Sequence, residues 1–191
     1  MAVLDNFNSY SDGDLNGQGG WSGSANLDVQ GTTVQEGTKA VQVASAAGNC
    51  EKATTASFTS GIFGCYVRVS AITAGNYTSF KLNEGATELC DCYVDGDNDK
   101  INLNIGASNF SLLTPVTTGA WHLIEIEIDA AGDQIRGRAN GGSWSSWGAK
   151  TFTNVTKVII GQFGSGISAY WDYVTEPTLI TTTSSSSSSS T

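Results

Sequence analysis

The stretch WHLIEIEID, residues 121–129, sets Glu125, Glu127 and Asp129 at every second position, with Ile124, Ile126 and Ile128 between them. A period of two is the signature of a strand with one wet and one dry face. The isoleucines are expected to face a core together with His122, which leaves the three acids on the opposite face with Trp121 and Leu123, at ~6.8 Å intervals. Two carboxyl groups that flank a glycosidic bond stand ~5–5.5 Å apart in retaining hydrolases and farther apart in inverting ones, so the spacing permits catalysis. A general acid also needs apolar cover to raise its pKa. Nothing in the stretch supplies that cover, and a solvated strand face is the expectation.

The same alternation recurs on both sides of this stretch, in AVQVAS (40–45), GCYVRVSAI (64–72), TSFKLN (78–83), KINLNIG (100–106) and KVIIG (157–161). Between the runs stand the turn signals NEGAT, VDGDND, AAGD and NGGS, at the spacing of a sandwich and not of βαβ units. No segment of helical length has a 3.6-residue period. The chain has 191 residues, with 23 Gly, 2 Pro and only 14% charged residues, so Ser, Thr, Asn and Gly must cover its surface. The reading is one all-β domain over residues 1–178. A Ser/Thr-rich flexible tail or linker follows over 179–191, where LITTTSSSSSSST offers no packing surface after Ile180.

The formal net charge of −9 is spread without a basic stripe, which argues against nucleic acid and anionic membranes as partners. No apolar run reaches the ~20 residues of a membrane helix, and the opening MAVLDNFNSYSDGDL lacks the basic-then-apolar layout of an export signal. Cys90 and Cys92 share one face of a strand and cannot easily bridge each other. Cys50 and Cys65 could staple neighbouring strands, or all four cysteines could be small buried hydrophobes. With His122 as the one histidine and no paired C-x-x-C arms, zinc is disfavoured.

The run WHLIEIEIDAAGDQIRGRANGG resembles the central hairpin of laminin G-like and concanavalin A-like jelly rolls, with a Trp, an alternating strand, a Gly-Asp turn, a second strand and Gly-Gly. DNFNSYSDGDLNGQGGW and AYWDYVTEP are similar to the first and last strands of that superfamily, and the ending also resembles laminarinase-type glucanases. The resemblance implies a jelly-roll β-sandwich of two antiparallel sheets, with the first and last strands adjacent. The glucanases carry a catalytic pattern of Glu, apolar, Asp, apolar, then Glu. Glu-Ile-Glu-Ile-Asp departs from it in order and residue type and falls on the hairpin strand, so the chain is not expected to be an enzyme. With no Gly-x-Ser-x-Gly elbow and His122 turned inward, a hydrolase triad is disfavoured as well.

The same resemblance implies a structural calcium held by Asp172 of the closing strand, with Asp5 or main-chain carbonyls of the first strand completing the oxygen shell. DGDND at 95–99 has Lys100 where a calcium loop requires Gly, so it is a hairpin turn. Trp144 and Trp147 in GGSWSSWG are the candidate ligand-binding residues. Flat aromatics on a Gly/Ser-rich segment can stack on sugars, although at this spacing a regular strand would point them to opposite sides.

These features point to a non-catalytic structural or adhesion domain on a bacteriophage virion surface, a capsid decoration or a tail or fibre module. It would act in a multi-copy or oligomeric assembly and contact other virion or cell-surface proteins and surface glycans. The alternative is an extracellular carbohydrate-binding module of a secreted bacterial protein. A third reading is a divergent glycanase, with Glu125, Glu127 and Asp129 as its first mutational targets.

Overall fold

The computed structural model describes residues 1–43, 47–71, 74–163 and 168–178. The expected tail over 179–191, and the ends of the expected strands at 44–45 and at Ile72, lie outside the described residues. Strands are numbered along the chain. Sheet A runs in the order β14 (Gly148–Ala149), β13 (Gln134–Ala139), β12 (Trp121–Asp129), β7 (Ser60–Val69), β16 (Ala169–Glu176), β5 (Ala40–Val43), β4 (Leu27–Gln30) and β2 (Gly13–Asp14). Also in sheet A, β1 (Ala2–Asp5) pairs with β16. Sheet B runs β11 (Ser108–Leu113), β10 (Lys100–Ile105), β9 (Thr87–Asp95), β8 (Tyr77–Glu84), β15 (Val155–Phe163), β6 (Gly48–Phe58) and β3 (Ser22–Gly23). Every pairing is antiparallel, and no helix forms among the described residues. The protein is a concanavalin A-like jelly-roll sandwich.

The alternation read in the sequence builds this core directly. Ile124, Ile126 and Ile128 are buried on the inner face of sheet A, while Phe80, Leu82, Cys90, Cys92, Val94 and Leu103 are buried from sheet B. A Cβ on Gly137 of β13 would meet the Leu103 and Leu112 side chains at 2.8 and 3.1 Å, so glycine lets that end of sheet A close on β10 and β11. A polar link crosses the core between the sheets: Trp171 Nε1 of β16 donates to Thr78 Oγ1 of β8 at 3.1 Å, and that hydroxyl donates to Gly161 O at 2.7 Å.

The first and last strands are adjacent, and a bulge makes this possible. Residues Ala169–Trp171 of β16 pair with β5, while Val174–Glu176 pair with β1. Between them the register slips, with Tyr173 at φ 51°.

All four cysteines are buried and free. Cys50 lies on β6 of sheet B and Cys65 on β7 of sheet A, so they are not on neighbouring strands and the staple between them does not form. Burial pushes the Cys50 thiol up to about 11 and the other three up as well. Among the strands that lacked a clear signal, β6 (GNCEKATTASF) is polar along most of its length and β11 is a mostly exposed edge. Their pairing partners β15, β3 and β10 define them.

Candidate functional site

The opening carboxylates sit as the pattern required, but they are not in open water. On the outer face of the β12–β13 hairpin, Glu125 is opposite Arg138, Glu127 opposite Arg136, and Asp129 opposite Gln134. Arg138 holds Glu125 by two bonds, Nε to Oε2 at 2.7 Å and Nη2 to Oε1 at 3.0 Å, and Glu125 is only 5% exposed. Arg136 Nε reaches Glu127 Oε2 at 2.6 Å. Hydrogen bonds from Gln134 and the Gly132 amide hold the Asp129 carboxyl below the usual range.

Trp144 and Trp147 complete this face. The Arg136 guanidinium lies over both rings, 4.2 Å from the Trp147 centroid and 5.0 Å from that of Trp144, and Arg138 lies 4.4 Å from Trp144. Ser145 exchanges bonds with Gly137, its amide donating to Gly137 O at 2.8 Å and its Oγ accepting from Gly137 N at 3.2 Å, so the segment runs along β13. The rings thus spend area on the arginines that neutralise the acids. The expectation of a solvated face fails at Glu125, which Arg138 covers, while Glu127 and Asp129 keep part of their surface in water; QIRGRAN carries both arginines at the spacing that meets Glu125 and Glu127. Glu125→Ala is expected to cost about 1–3 kcal/mol in a denaturant titration, because it strands half-buried Arg138; a solvated acid would cost under about 0.5 kcal/mol.

Asp5 and Asp172 are engaged separately. Asp5 Oδ1 accepts from the Phe7 amide at 2.8 Å, and Oδ2 accepts from Trp21 Nε1 at 2.8 Å, Lys52 Nζ at 2.5 Å and the Tyr10 hydroxyl. Burial, then Asp5, pushes the Tyr10 pKa up. Asp172 Oδ2 accepts from the Gln35 and Glu36 amides at 2.9 and 3.0 Å, and Oδ1 from the Tyr173 amide at 2.7 Å. It therefore ties the bulge of β16 to the segment around Gln35, while burial raises its pKa. These surroundings do not fit a resident calcium. N–H groups and an ammonium occupy the positions a cation would need, and no cluster of three ligating side chains occurs among the described residues.

A groove of about 570 Å³ is bordered by Phe58, Ile62, Pro177 and Glu127, but its one carboxylate is already paired with Arg136. The arrangement with more chemical content is on the outer face of sheet B. There the register aligns Asn49, Gly161, Ser79, Tyr93, Asn102 and Ser111 in one row across six strands, β6 to β11. A parallel row reads Glu51, Ile159, Lys81, Asp91, Asn104 and Asn109. Tyr77, Asp91, Tyr93, Asp95, Asp97 and Asn104 line a groove of about 330 Å³ over these rows.

Several of the lining side chains are positioned by contacts with their neighbours. Tyr77 and Tyr93 meet edge to face, with centroids 5.7 Å apart at 62°. Asn109 Nδ2 donates to the Tyr93 hydroxyl at 2.8 Å. Asp95 caps the β9–β10 turn, accepting from the Asp97 amide at 2.9 Å and Asn98 Nδ2 at 2.8 Å, which is the turn expected of DGDND. Asp91 Oδ2 lies 3.2 Å from Lys81 Nζ, and burial raises the Asp91 pKa against that charge. Ser79 is near enough to lower it, yet neither Ser79 Oγ nor Asp91 Oδ1 has a partner at hydrogen-bonding geometry. Sequence reasoning missed this face. Its signal was the alternation Asp91, Tyr93, Asp95 in CDCYVD, which resembles any half-buried strand until the neighbours are known.

No protein family matches the chain, and no curated protein matches it. Similarity to solved structures covers nearly all of it at low identity. A cellulose induced protein, Cip1, superposes with a TM-score of 0.66 at 14% identity, over 90% of this chain and 94% of that one. A Bacillus licheniformis β-glucanase gives 0.62 at 11% identity, over 91% and 97%. A sialidase gives 0.68 at 9% identity over 89% of this chain, which spans only 18% of the sialidase. At these identities the likeness establishes the fold alone: the chain has the sandwich architecture found in a glucanase, a sialidase and Cip1.

Proposed function

We propose that the chain is a non-catalytic glycan-binding domain and that the outer face of sheet B is its binding track. One observation carries this reading: a row of small and planar polar side chains, with Tyr93 in it, crosses six strands beside an aromatic and acidic groove. At the usual strand spacing the row is about 24 Å long, room for several sugars of an extended chain. Amide and hydroxyl groups can hydrogen-bond sugar hydroxyls, and tyrosine rings can lie against their apolar faces. The similar folds include a GH16 protein of a Bacteroides ovatus mixed linkage glucan PUL in complex with a G4G4G3G product, and an alginate lyase, which favours a polysaccharide over other ligands.

The non-catalytic part rests on spacing and charge. Asp91 and Asp95 lie four residues apart on one strand, ~13 Å by strand rise, beyond the ~9.5 Å that inversion tolerates, while Asp95 and Asp97 are committed to the turn, accepting from the Asp97 and Gly75 amides. Glu125 and Glu127 are tied to arginines. The setting we propose is the surface of a bacteriophage virion, supported by a polar exterior of low charge density; a secreted module is the alternative setting, and the copy number on native particles separates the two. Tyr93→Ala is expected to weaken binding to the best ligand of a polysaccharide panel by at least about tenfold, as loss of one stacking ring does, with Trp147→Ala unchanged. The reverse pattern would move the site to the β12–β13 face.

A further inference from the structure

We propose that Asn140 is a self-modification site: the amide nitrogen of Gly141 closes on the Asn140 side chain, His122 passes a proton to the departing nitrogen, and water turns the resulting ring into an acid. The inference is independent of the glycan-binding reading. Asn-Gly is the pair most open to this ring closure, because glycine puts no side chain in the path of its own nitrogen. The chain has two such pairs, Asn16-Gly17 and Asn140-Gly141, and the fold treats them differently. The Gly17 amide donates to Trp21 O at 2.9 Å, and Asn16 Oδ1 accepts from the Gly23 amide at 3.1 Å. The Gly141 amide has no acceptor among the described residues, and residues 140–142 form an exposed turn tip.

Asn140 and Gly141 are the central residues of that turn, with φ 52° and 68°, and Gly142 N donates to Ala139 O at 2.9 Å. The Asn140 side chain is held at both amide atoms: Oδ1 accepts from the Leu123 amide at 2.9 Å, and Nδ2 stands 3.1 Å from His122 Nδ1. His122, the one histidine of the chain, is 5% exposed and is oriented by a 3.0 Å contact from Nε2 to Thr117 O. Attack requires the Asn140 ψ to swing out of the turn, which the exposed tip permits. As Gly141 N bonds to Asn140 Cγ and gives its proton to water, negative charge grows on Oδ1, where the Leu123 N–H already points. Nδ2 meanwhile changes from a flat amide, which accepts no hydrogen bond, into an amine with a lone pair. The imidazolium form of His122 donates from both nitrogens, so Nδ1–H can protonate that amine while Nε2–H keeps Thr117 O. The Cγ–Nδ2 bond then breaks and ammonia leaves. Water opens the cyclic imide to aspartate or its β-linked isomer, so the sum is asparagine plus water to acid plus ammonia. The new carboxylate stands beside His122 as an ion-pair partner.

The test incubates the full chain at neutral pH, native and in urea, and follows acid at positions 16 and 140 by peptide mass, a gain of about 1 Da at each. In the native protein the acid is expected to appear at 140 at least about tenfold faster than at 16, and in urea at similar rates. His122→Gln keeps a polar contact to Asn140 but transfers no proton, and it is expected to slow position 140 at least about tenfold, within the usual contribution of a general acid. A general loosening of that variant would raise the rate at 140, so it cannot mimic this result. Equal native rates at the two positions, or faster reaction at 16, would overturn the site. A preference for 140 that persists in urea would overturn it as well, since sequence and not fold would then be responsible. An unchanged or raised rate at 140 in His122→Gln would overturn the role of His122.

Discussion

Asp5→Ala is expected to lower the unfolding free energy by about 3–5 kcal/mol, the range seen when one partner of a buried ion pair is deleted. Asp5 collects four donors: the Phe7 amide and Tyr10 hydroxyl from close by in the chain, and the Trp21 indole and Lys52 ammonium from farther along it. Alanine would leave the buried Phe7 amide and Trp21 indole without an acceptor, and Lys52, whose ammonium also lies 5.9 Å from the Trp21 ring, would keep a largely buried charge without this counter-ion. At about 2–4 °C per kcal/mol for a chain of this size, the melting temperature should fall by about 6–20 °C. A double variant with Lys52→Met should recover part of the loss, since the stranded charge goes with it. A loss under about 1 kcal/mol would mean that this network is not formed in solution.

Trp171→Ala should cost about as much, about 3–5 kcal/mol, for a different reason. Trp171 is fully buried on β16, packs 6.4 Å centroid to centroid from Phe80 of the opposite sheet, and bonds Thr78. Alanine removes most of its volume from a core that cannot collapse because both sheets are fixed by their ladders. Trp171→Phe keeps much of the packing and loses the indole bond, so about 1–2 kcal/mol is expected from urea midpoints. Thr78 still donates to Gly161 O in either variant. If Phe and Ala proved equally damaging, the hydrogen bond and not the volume would dominate.

What the sequence disclosed divides along one physical line. Period-two runs with strong apolar content gave β12, β8, β10 and the inner half of β15, because burial of alternate residues is a local pattern. The polar strand β6 was not legible, since its place follows from pairing with β15 across a separation of about a hundred residues. The surroundings of the candidate sites were not legible for the same reason. Glu125 could be placed on a face, but whether that face was wet depended on Arg138 and Trp144, which fold back over it. Asp172 and Asp5 were picked out as acids of the closing and opening strands, but their amide and ammonium partners, Gln35 and Glu36 for the one and Lys52 for the other, are brought to them only by the fold. The sheet B track is assembled from six strands, and each contributes one or two unremarkable polar residues; only register brings Ser79, Tyr93 and Asn102 into line.

The pairing of β1 with β16 fixes where attachments lie. Both strands belong to sheet A, with Ala2 opposite Glu176, so anything joined before the one or after the other is tethered to the layer that does not carry the track. Where several copies are anchored side by side on one particle, their tracks can point outward together. Each could then hold its polymer weakly while avidity, set by the effective concentration of neighbouring copies, secures the whole.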